Sequence, residues 1–276
     1  MQIWTQFSHE MYRMVQEAFS TQGTEPEIIA KFVLNNFKKR PNYNDQREKL
    51  QRFVIERCIE NIIHFTKIEN IPSILKYGII PRAHLDNPVV SVVIKPVYSD
   101  ESRFDNHSEM NCLSISFPND RMFYSKRNKL NGGWAIVLLD PSVITEYYCI
   151  FYSTNAASKY CNFSSGIIAA QKMFSCLSIR KELSLKPSQT TDPQAEVLED
   201  TIILPSKILK IAVHNVGDFE YLISKSVKNE MLEINPCLYE NRHDMNYWHD
   251  KMKRFIPEDD YNEVLKYESL TSTKEV

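Results

Sequence analysis

Two side chains and one stretch of this sequence have residue types that could do chemistry. His64 follows the short apolar run at 62–63, and Glu196 begins a β-like run after the turn-rich loop "SLKPSQTTDPQ". An imidazole can hydrogen-bond or carry a proton near neutral pH, and a carboxylate can stabilise positive charge or accept a proton. Each also has a structural interpretation, because His64 could be a core histidine and Glu196 a carboxylate at a strand edge.

The stretch between residues 117 and 129 interleaves cations with aromatic rings. Its members are Arg121, Lys126, Arg127, Lys129, Phe117, Phe123 and Tyr124. This composition suits a surface that holds phosphates and stacks bases, although a solvated loop with an aromatic underside explains it equally. The Gly-rich patterns GxGxxG and GxxxxGK are absent from the sequence, so a Rossmann or P-loop nucleotide site is not expected.

The segment "IIHFTKIENIPSILKYGII", residues 62–80, predicts a strand that feeds directly into a helix over about 68–77. Thr66 and Glu69 have the spacing of a capping box, in which each side chain satisfies a backbone N–H at the helix start. Gly78 suits the position just after the helix, where a left-handed backbone is common. His64 precedes this junction and would point into the groove between strand and helix.

The rest of the chain predicts an α+β fold. Helical patterns occupy the first sixty residues, in "SHEMYRMVQEAF", "TEPEIIAKFVLNNFKKR" and "NDQREKLQRFVIERCIEN". Strand-like runs follow without regular alternation with helices, in "NIIHF", "CLSISF", "WAIVLL", "AEVLEDTIIL" and "ILKIAVHN". We therefore divide the chain into a helical extension (1–60), a core (61–216) and a largely helical C-terminal segment (217–276) whose end is polar.

Composition limits the classes of function. The net charge is −2, so any contact with nucleic acid must come from a local patch. Six cysteines are scattered without a CxxC pair, which argues against a zinc site. Apolar runs are too short to span a bilayer and the first residues do not resemble a signal peptide, so a cytoplasmic protein without membrane contact or metal is expected.

Three segments in order resemble the DarT family of DNA ADP-ribosyltransferase toxins. "HFTKIENIPSILKYGII" resembles the family's His-x-Thr signature, and "QAEVL" resembles the segment that bears the family's catalytic glutamate. "RFDNHSEMNCLSISFPNDRMFY" resembles the Arg-x-Asp and Leu-Ser-Ile-Ser-Phe-Pro-Asn segment of one branch. The match spans roughly residues 61–216, and it implies the ADP-ribosyltransferase fold: two small, mostly antiparallel sheets around an NAD cleft.

The resemblance also implies roles for individual residues. Glu196 would be the catalytic glutamate, and Arg103 would position NAD and the reacting base. Residues 183–195 would form the substrate-recognition loop. The implied NAD contacts are His64, Thr66, Asn70, Gly78 and Asn155, and the implied DNA contacts are Arg121, Phe123, Tyr124, Lys126, Arg127 and Gln194.

One position departs from the family pattern. Part of the family has a further histidine after the central strands, whereas this chain has "YSTNAAS", with Asn155 as the nearest polar side chain. The branch with the Ser-Ile-Ser-Phe-Pro-Asn segment modifies guanine and the better-known branch modifies thymine, so guanine is favoured and thymine is the alternative.

The implied activity is transfer of ADP-ribose from NAD, a consumed co-substrate, to a base of single-stranded DNA. A base nitrogen inside a stacked duplex cannot reach NAD, which favours a single strand. The implied partner is an antitoxin that hydrolyses the modification, in a system of phage defence, and a monomer is expected. The competing hypotheses are an ADP-ribosyltransferase acting on protein or RNA, and a non-catalytic module that binds nucleic acid or antitoxin.

Overall fold

The apolar runs of the sequence pair as strands of a mixed sheet. The computed structural model describes residues 31, 34–35, 46–99, 107–158 and 163–248. Within them the strands are β1 (Ile62–Lys67), β2 (Asn111–Ile115), β3 (Trp134–Leu139), β4 (Cys149–Tyr152), β5 (Phe163–Ser165), β6 (Glu196–Glu199), β7 (Ile208–Val213) and β8 (Leu232–Ile234). Their order across the sheet is β5-β4-β6-β2-β1-β3-β7-β8. Neighbours are antiparallel except β7 and β8, which are parallel.

Short helices connect these strands. They are α1 (Gln46–Glu56), α2 (Ile71–Tyr77), α3 (Arg82–Leu85), α4 (Pro88–Ile94), α5 (Asp120–Lys129), α6 (Val143–Glu146), α7 (Ile167–Lys172), α8 (Leu177–Glu182) and α9 (Val216–Ser224), with 3-10 turns at Ile68–Asn70, Pro205–Lys207, Asn229–Met231 and Pro236–Tyr239. None of the helices in the described ranges is long and apolar enough to cross a membrane.

The sheet consists of two halves joined by a short contact. β1 pairs with β2 only through Ile62 and Ile63, opposite Ile115 and Ser114. Beyond that point β1 remains paired with β3 through Lys67, while β2 pairs with β6. The two halves therefore diverge from His64 onward, and the space between them is open to side chains and ligands.

Each face of the β1-β3-β7 half is covered. On one face, residues such as Ile62 and Val137 belong to the main core with Phe53 of α1 and Leu222 of α9. On the other face, Ile63, Ile136 and Ala212 pack with Phe123 of α5. The alternation of strand residues between the two faces is what allows one strand to support two cores.

The predicted capping box is wrong. Thr66 is a residue of β1 paired with Ala135, and its neighbour Lys67 precedes the 3-10 turn without any side-chain cap bond. The buried strand β3 offers a partner for all six residues of β1, and these backbone bonds outweigh a local cap. The predicted helix end is confirmed, because α2 ends at Tyr77 and Gly78 follows with φ of 92°.

Within the stretch 117–129, for which a loop is one interpretation, residues 120–129 form the helix α5. Asn119 caps it by accepting a hydrogen bond from the backbone N–H of Met122. Of the three helices predicted before residue 60, the third is α1, whereas the first lies outside the described residues and the second is described only at 31 and 34–35.

The sheet continues beyond residue 216. α9 packs on the main core and β8 adds a strand beside β7. Within the C-terminal segment predicted to be largely helical, residues 240–242 are not helical and an α-helix begins only at 245. We therefore propose that the residues from 217 to the end of the described range belong to the core.

Candidate active site

A cleft of about 630 Å³ opens where β1 and β2 part. Its walls come from β1, β2, α5, the first residue of β6 and the chain at 96–99. The volume lies within the range typical of small-molecule and cofactor sites. Nine predicted site residues line it together: His64, Thr66, Asn70, Gly78, Arg121, Lys126, Asn155, Gln194 and Glu196.

His64 spans the opening between the two half-sheets. Its Nδ1 lies 3.0 Å from the carbonyl oxygen of Cys112 on β2. Because a carbonyl only accepts, Nδ1 must carry the hydrogen, which leaves the lone pair of the neutral ring on Nε2. The imidazole is therefore held in one tautomer at the point where the backbone ladder between the strands has ended.

Thr66 and Asn70 form a second polar pair in the cleft wall. Asn70 Nδ2 donates to Thr66 Oγ1 at 2.9 Å and to the carbonyl of Val97, and Asn70 Oδ1 accepts from the N–H of Val97 at 2.8 Å. Asn70 thus fixes the chain near 97 against β1. Both residues have structural partners in addition to the NAD contacts that the resemblance implies.

Gly78 is required by the backbone at the edge of the cleft. Its positive φ is unfavourable for other residues, and a Cβ there would collide with the carbonyl oxygen of Ile203. The adjacent Ile79 bridges to Ile203. A close approach between two backbone segments is therefore sufficient to explain this glycine.

Glu196 is the buried carboxylate of the cleft. It is the first residue of β6, is 3% exposed and pairs with Tyr152 of β4. Oε1 accepts from Asn119 Nδ2 at 3.0 Å, and Oε2 accepts from the backbone N–H of Ala156 at 2.8 Å. Donors to both oxygens satisfy and orient a carboxylate that could not otherwise be buried.

Asn119 is a site residue that the sequence did not single out. It is 1% exposed and stands in the segment "LSISFPN", whose likeness to one family branch was the available signal. It lies 77 positions before Glu196 in the chain, and only tertiary structure joins them.

Two further predicted residues frame the carboxylate. Gln194 is buried, and its carbonyl lies 3.4 Å from Asn119 Nδ2. Asn155 accepts from the N–H of Ala157 at 2.9 Å and so shapes the turn that presents Ala156 to Glu196. Both residues therefore lie beside the carboxylate of Glu196.

Helix α5 divides the predicted DNA contacts between two faces. Arg121 and Lys126 line the cleft, and Lys126 Nζ lies 3.2 Å from Ser99 Oγ. Tyr124 is exposed, with 43% of its surface open to solvent. These three residues stay candidates for a DNA surface.

Phe123 and Arg127, both predicted DNA contacts, lie on the face of α5 that packs against the sheet and not on the face that lines the cleft. Phe123 is buried against Phe65, Trp134 and Tyr239. Arg127 lies over the rings of Phe123 and Tyr239, donates to the carbonyl of Tyr239, and has its pKa lowered by burial. One helical face must cover the sheet, and these two residues occupy it.

Arg103, the predicted partner of NAD and the base, lies outside the described residues. In the ranges that the structure covers, no group of three or more His, Cys, Asp or Glu side chains could hold a metal ion. The described chemistry therefore centres on one carboxylate, one imidazole and the cations of α5.

Comparison with solved structures shows a protein of similar fold. The chain resembles Thermosipho africanus DarTG in complex with ADP-ribose at a TM-score of 0.51 and 20% identity, over 66% of this chain and 52% of that one. The match thus spans about half the length of that protein. The predicted α+β fold class is confirmed.

The family follows from the sequence match. A family model described as ssDNA thymidine ADP-ribosyltransferase, DarT, matches residues 63–245, more than half of the chain. The chain therefore belongs to the DarT family, which confirms the predicted family and its enzyme class.

Other similar structures are more distant. Thermus sp. 2.9 DarT in complex with NAD+ has a TM-score of 0.45 and 15% identity, over 66% of this chain and 98% of that one. The same protein in complex with ADP-ribosylated ssDNA has a TM-score of 0.45 and 14% identity, over 73% and 100% of the two chains. Curated proteins gave no match.

Proposed function

We propose that this protein transfers ADP-ribose from NAD to a guanine base of single-stranded DNA and releases nicotinamide. The observation that carries the proposal is the buried, doubly hydrogen-bonded carboxylate of Glu196 in the cleft of a DarT family member. The same geometry would serve transfer to protein or RNA, which is therefore an outcome of the test below.

The cleft suits NAD as a substrate. It combines a volume of about 630 Å³ with apolar walls and a few fixed polar groups, as cofactor sites do. His64 presents an imidazole whose tautomer is set by Cys112, and Thr66 presents a hydroxyl fixed by Asn70. We assign these two side chains to the binding and orientation of NAD.

Glu196 assists the step in which the ribose loses nicotinamide and bonds to the base. When the bond from ribose to nicotinamide breaks with its electron pair leaving on nicotinamide, positive charge develops on the ribose, and an adjacent carboxylate stabilises it. The base nitrogen then forms the new bond and loses its proton, which Glu196 can accept. A buried carboxylate interacts more strongly with this charge than a solvated one.

The choice of guanine rests on the segment 113–119. Its likeness to the guanine-modifying branch matters because Asn119, its last residue, touches Glu196 and so belongs to the site. The family description names thymidine, which makes thymine the second candidate. Oligonucleotides that contain only one of the two bases distinguish these possibilities.

Two further parts of the proposal concern partners. Arg121 and Lys126 at the cleft and Tyr124 beside them would hold the single strand by phosphate contact and stacking. An antitoxin that hydrolyses ADP-ribose from DNA is the proposed cognate partner, in keeping with the family and with the Thermosipho africanus DarTG structure.

The test is transfer of label from NAD. The protein is incubated with labelled NAD and with single-stranded DNA, duplex DNA, RNA or a protein extract. We expect label on guanine-containing single strands, and a Glu196→Gln variant should lower the rate by about 10³-fold or more, because it removes both the negative charge and the proton acceptor.

Glu199→Gln is the matched control. Glu199 lies at the other end of β6, is fully buried, and accepts from Asn111 Nδ2 at 3.1 Å and from the N–H of Thr201 at 2.8 Å. This variant should lose stability but retain transfer per folded molecule. Equal rates for the parent and Glu196→Gln would reject the proposed mechanism, and label on RNA or protein alone would reject the substrate.

A further inference from the structure

Asn119 joins the carboxylate of Glu196 to the start of α5. Its two side-chain atoms face in different directions: Oδ1 accepts from the N–H of Met122 at 3.2 Å, and Nδ2 donates to Glu196 Oε1 at 3.0 Å. Its own N–H donates to Ser114 Oγ at 3.1 Å. The residue is therefore held on three sides.

The orientation of this amide is fixed by chemistry. The N–H of Met122 can only donate, so the atom that faces it must be the oxygen. The NH₂ group consequently faces Glu196, where a flipped amide would place an oxygen against a carboxylate. A helix cap thus determines which atom meets Glu196.

The hydrogen bonds favour one charge state of Glu196. Asn119 and the backbone of Ala156 both present N–H groups, one to each carboxylate oxygen. Donors stabilise the ionised form of a carboxylate, whereas burial opposes it. Loss of one donor should leave the carboxylate less firmly oriented and easier to protonate.

α5 and the chain before β6 are joined at the same place. The N–H of Asp120 donates to the carbonyl of Pro193 at 3.3 Å, beside the contact of Asn119 with the Gln194 carbonyl. The helix that lines the cleft and the strand that carries Glu196 therefore meet at the Asn119 side chain.

We propose that Asn119 is a positioning residue, which keeps Glu196 ionised and aimed at the reacting ribose by means of the cap of α5. This inference rests on the proposed function and deepens it. The role requires both a helix-capping oxygen and an N–H donor, a combination that aspartate and serine lack.

The first test is Asn119→Asp. Aspartate caps helices as well as asparagine does, so α5 is retained. Its second oxygen replaces the NH₂ group next to Glu196 Oε1, and two carboxylates this close cannot both ionise. The acidic limb of the pH-rate profile should therefore move at least one pH unit higher. The transfer rate of the variant should be more than 10-fold below that of the parent at pH 6, and the difference should become smaller toward pH 9.

The second test is Asn119→Ser. A serine hydroxyl caps the helix but is too short to reach Glu196. We expect kcat to fall by about 100-fold, because a misplaced catalytic group has that scale of effect. KM for NAD should stay within about threefold of the parent, which a general loss of structure would not allow.

Asn215→Asp is the matched control. Asn215 caps α9 with Oδ1, 2.9 Å from the N–H of Asp218, and its Nδ2 donates to a carboxylate oxygen of Asp218 at 3.1 Å. It therefore repeats the two-sided geometry of Asn119 away from the cleft. The pH-rate profile of this variant should overlay that of the parent.

The outcomes separate this inference from the proposed function. For each variant, the transfer rate is divided by the concentration of NAD-binding sites, which is measured by titrating the preparation with NAD. If the parent transfers no label, the proposed function fails. If the parent is active and Asn119→Asp has the parent's pH profile, or Asn119→Ser the parent's kcat, the positioning role of Asn119 is rejected while the function stands.

Discussion

Neighbouring side chains at the start of α5 show how surroundings set the charge of a carboxylate. Glu196 receives two N–H donors, whereas Asp120, next to Asn119, accepts the backbone N–H of Arg242 at 3.1 Å. Burial raises the pKa of Asp120 from 3.8 to about 6, an effect that outweighs the opposing charges of Arg242 and Arg127 and is reinforced by Asp244. The folded protein thus binds this proton more tightly than the unfolded chain does.

The pH dependence of stability follows from the raised pKa of Asp120. Because the folded-state pKa exceeds the unfolded value, the proton's stabilising effect is complete below about pH 4 and is lost by about pH 6. Asp120→Asn keeps an acceptor for Arg242 and cannot ionise. Urea titrations measure the free energy of unfolding of the parent and of the variant. The parent value minus the variant value should fall as the pH rises from about 4 to about 6.

Asp140→Asn is the control for the sign. Burial raises the pKa of Asp140, but hydrogen bonds from Ser142 and the charge of Lys207 outweigh it, so its net pKa is lowered. The parent-minus-variant difference should then fall as the pH drops through the folded-state pKa. Parallel curves for the parent and Asp120→Asn would contradict the first expectation.

At the scale of elements, one face of α5 lines the cleft and the other packs against the sheet. Lys126 lines the cleft, whereas Arg127, the next residue, lies on Phe123 and Tyr239 at the opposite face. A stretch of alternating cations and rings therefore contains two different surfaces. The helical period assigns each residue to one of them.

The two faces predict different responses to salt. Lys126→Ala should reduce the slope of log K against log salt for a single-stranded oligonucleotide by roughly 0.7, the contribution of one phosphate contact. Arg127→Gln removes the same charge from the packed face and should lower stability without changing the slope. Fluorescence anisotropy between about 50 and 200 mM salt measures this slope for both variants. Equal slopes for the two variants would mean that the DNA strand does not contact Lys126.

At the scale of the whole molecule, Arg242 connects segments that are distant in sequence. It is 3% exposed and pairs with Asp244, with Nε to Oδ1 and Nη2 to Oδ2 both 2.6 Å. It also donates to the carbonyls of Thr190 at 2.9 Å and Thr191 at 3.1 Å, on the loop before Glu196. The part of the chain beyond residue 216 thus supports the cleft.

Arg242→Met should be strongly destabilising. It leaves Asp244 buried without its cation, and breaking a buried pair typically costs about 3–5 kcal/mol. Arg52→Met is the control, because Arg52 and Glu48 form an exposed pair at 3.6 Å, and its loss should change the free energy of unfolding by less than about 1 kcal/mol. Urea unfolding measures both, and equal midpoints for Arg242→Met and the parent would contradict the expectation.

Local pattern was sufficient for part of the fold and site. The apolar runs predicted β1, β3 and β7, and the turn-rich loop before Glu196 predicted the start of β6. The ordered segments around His64 and Glu196 indicated the family, which the family model confirms. Strand alternation, glycine conformation and short motifs are properties of contiguous residues, so the sequence by itself determined them.

Tertiary structure alone decided the rest. Thr66 is drawn into β1 by pairing with β3, Phe123 and Arg127 are buried by the sheet under α5, and Asn119 meets Glu196 across 77 positions. A local pattern indicates which bonds a residue can make. The partner that it obtains depends on competition with distant strands and helices, because a buried backbone or polar group must find a partner wherever the fold provides one.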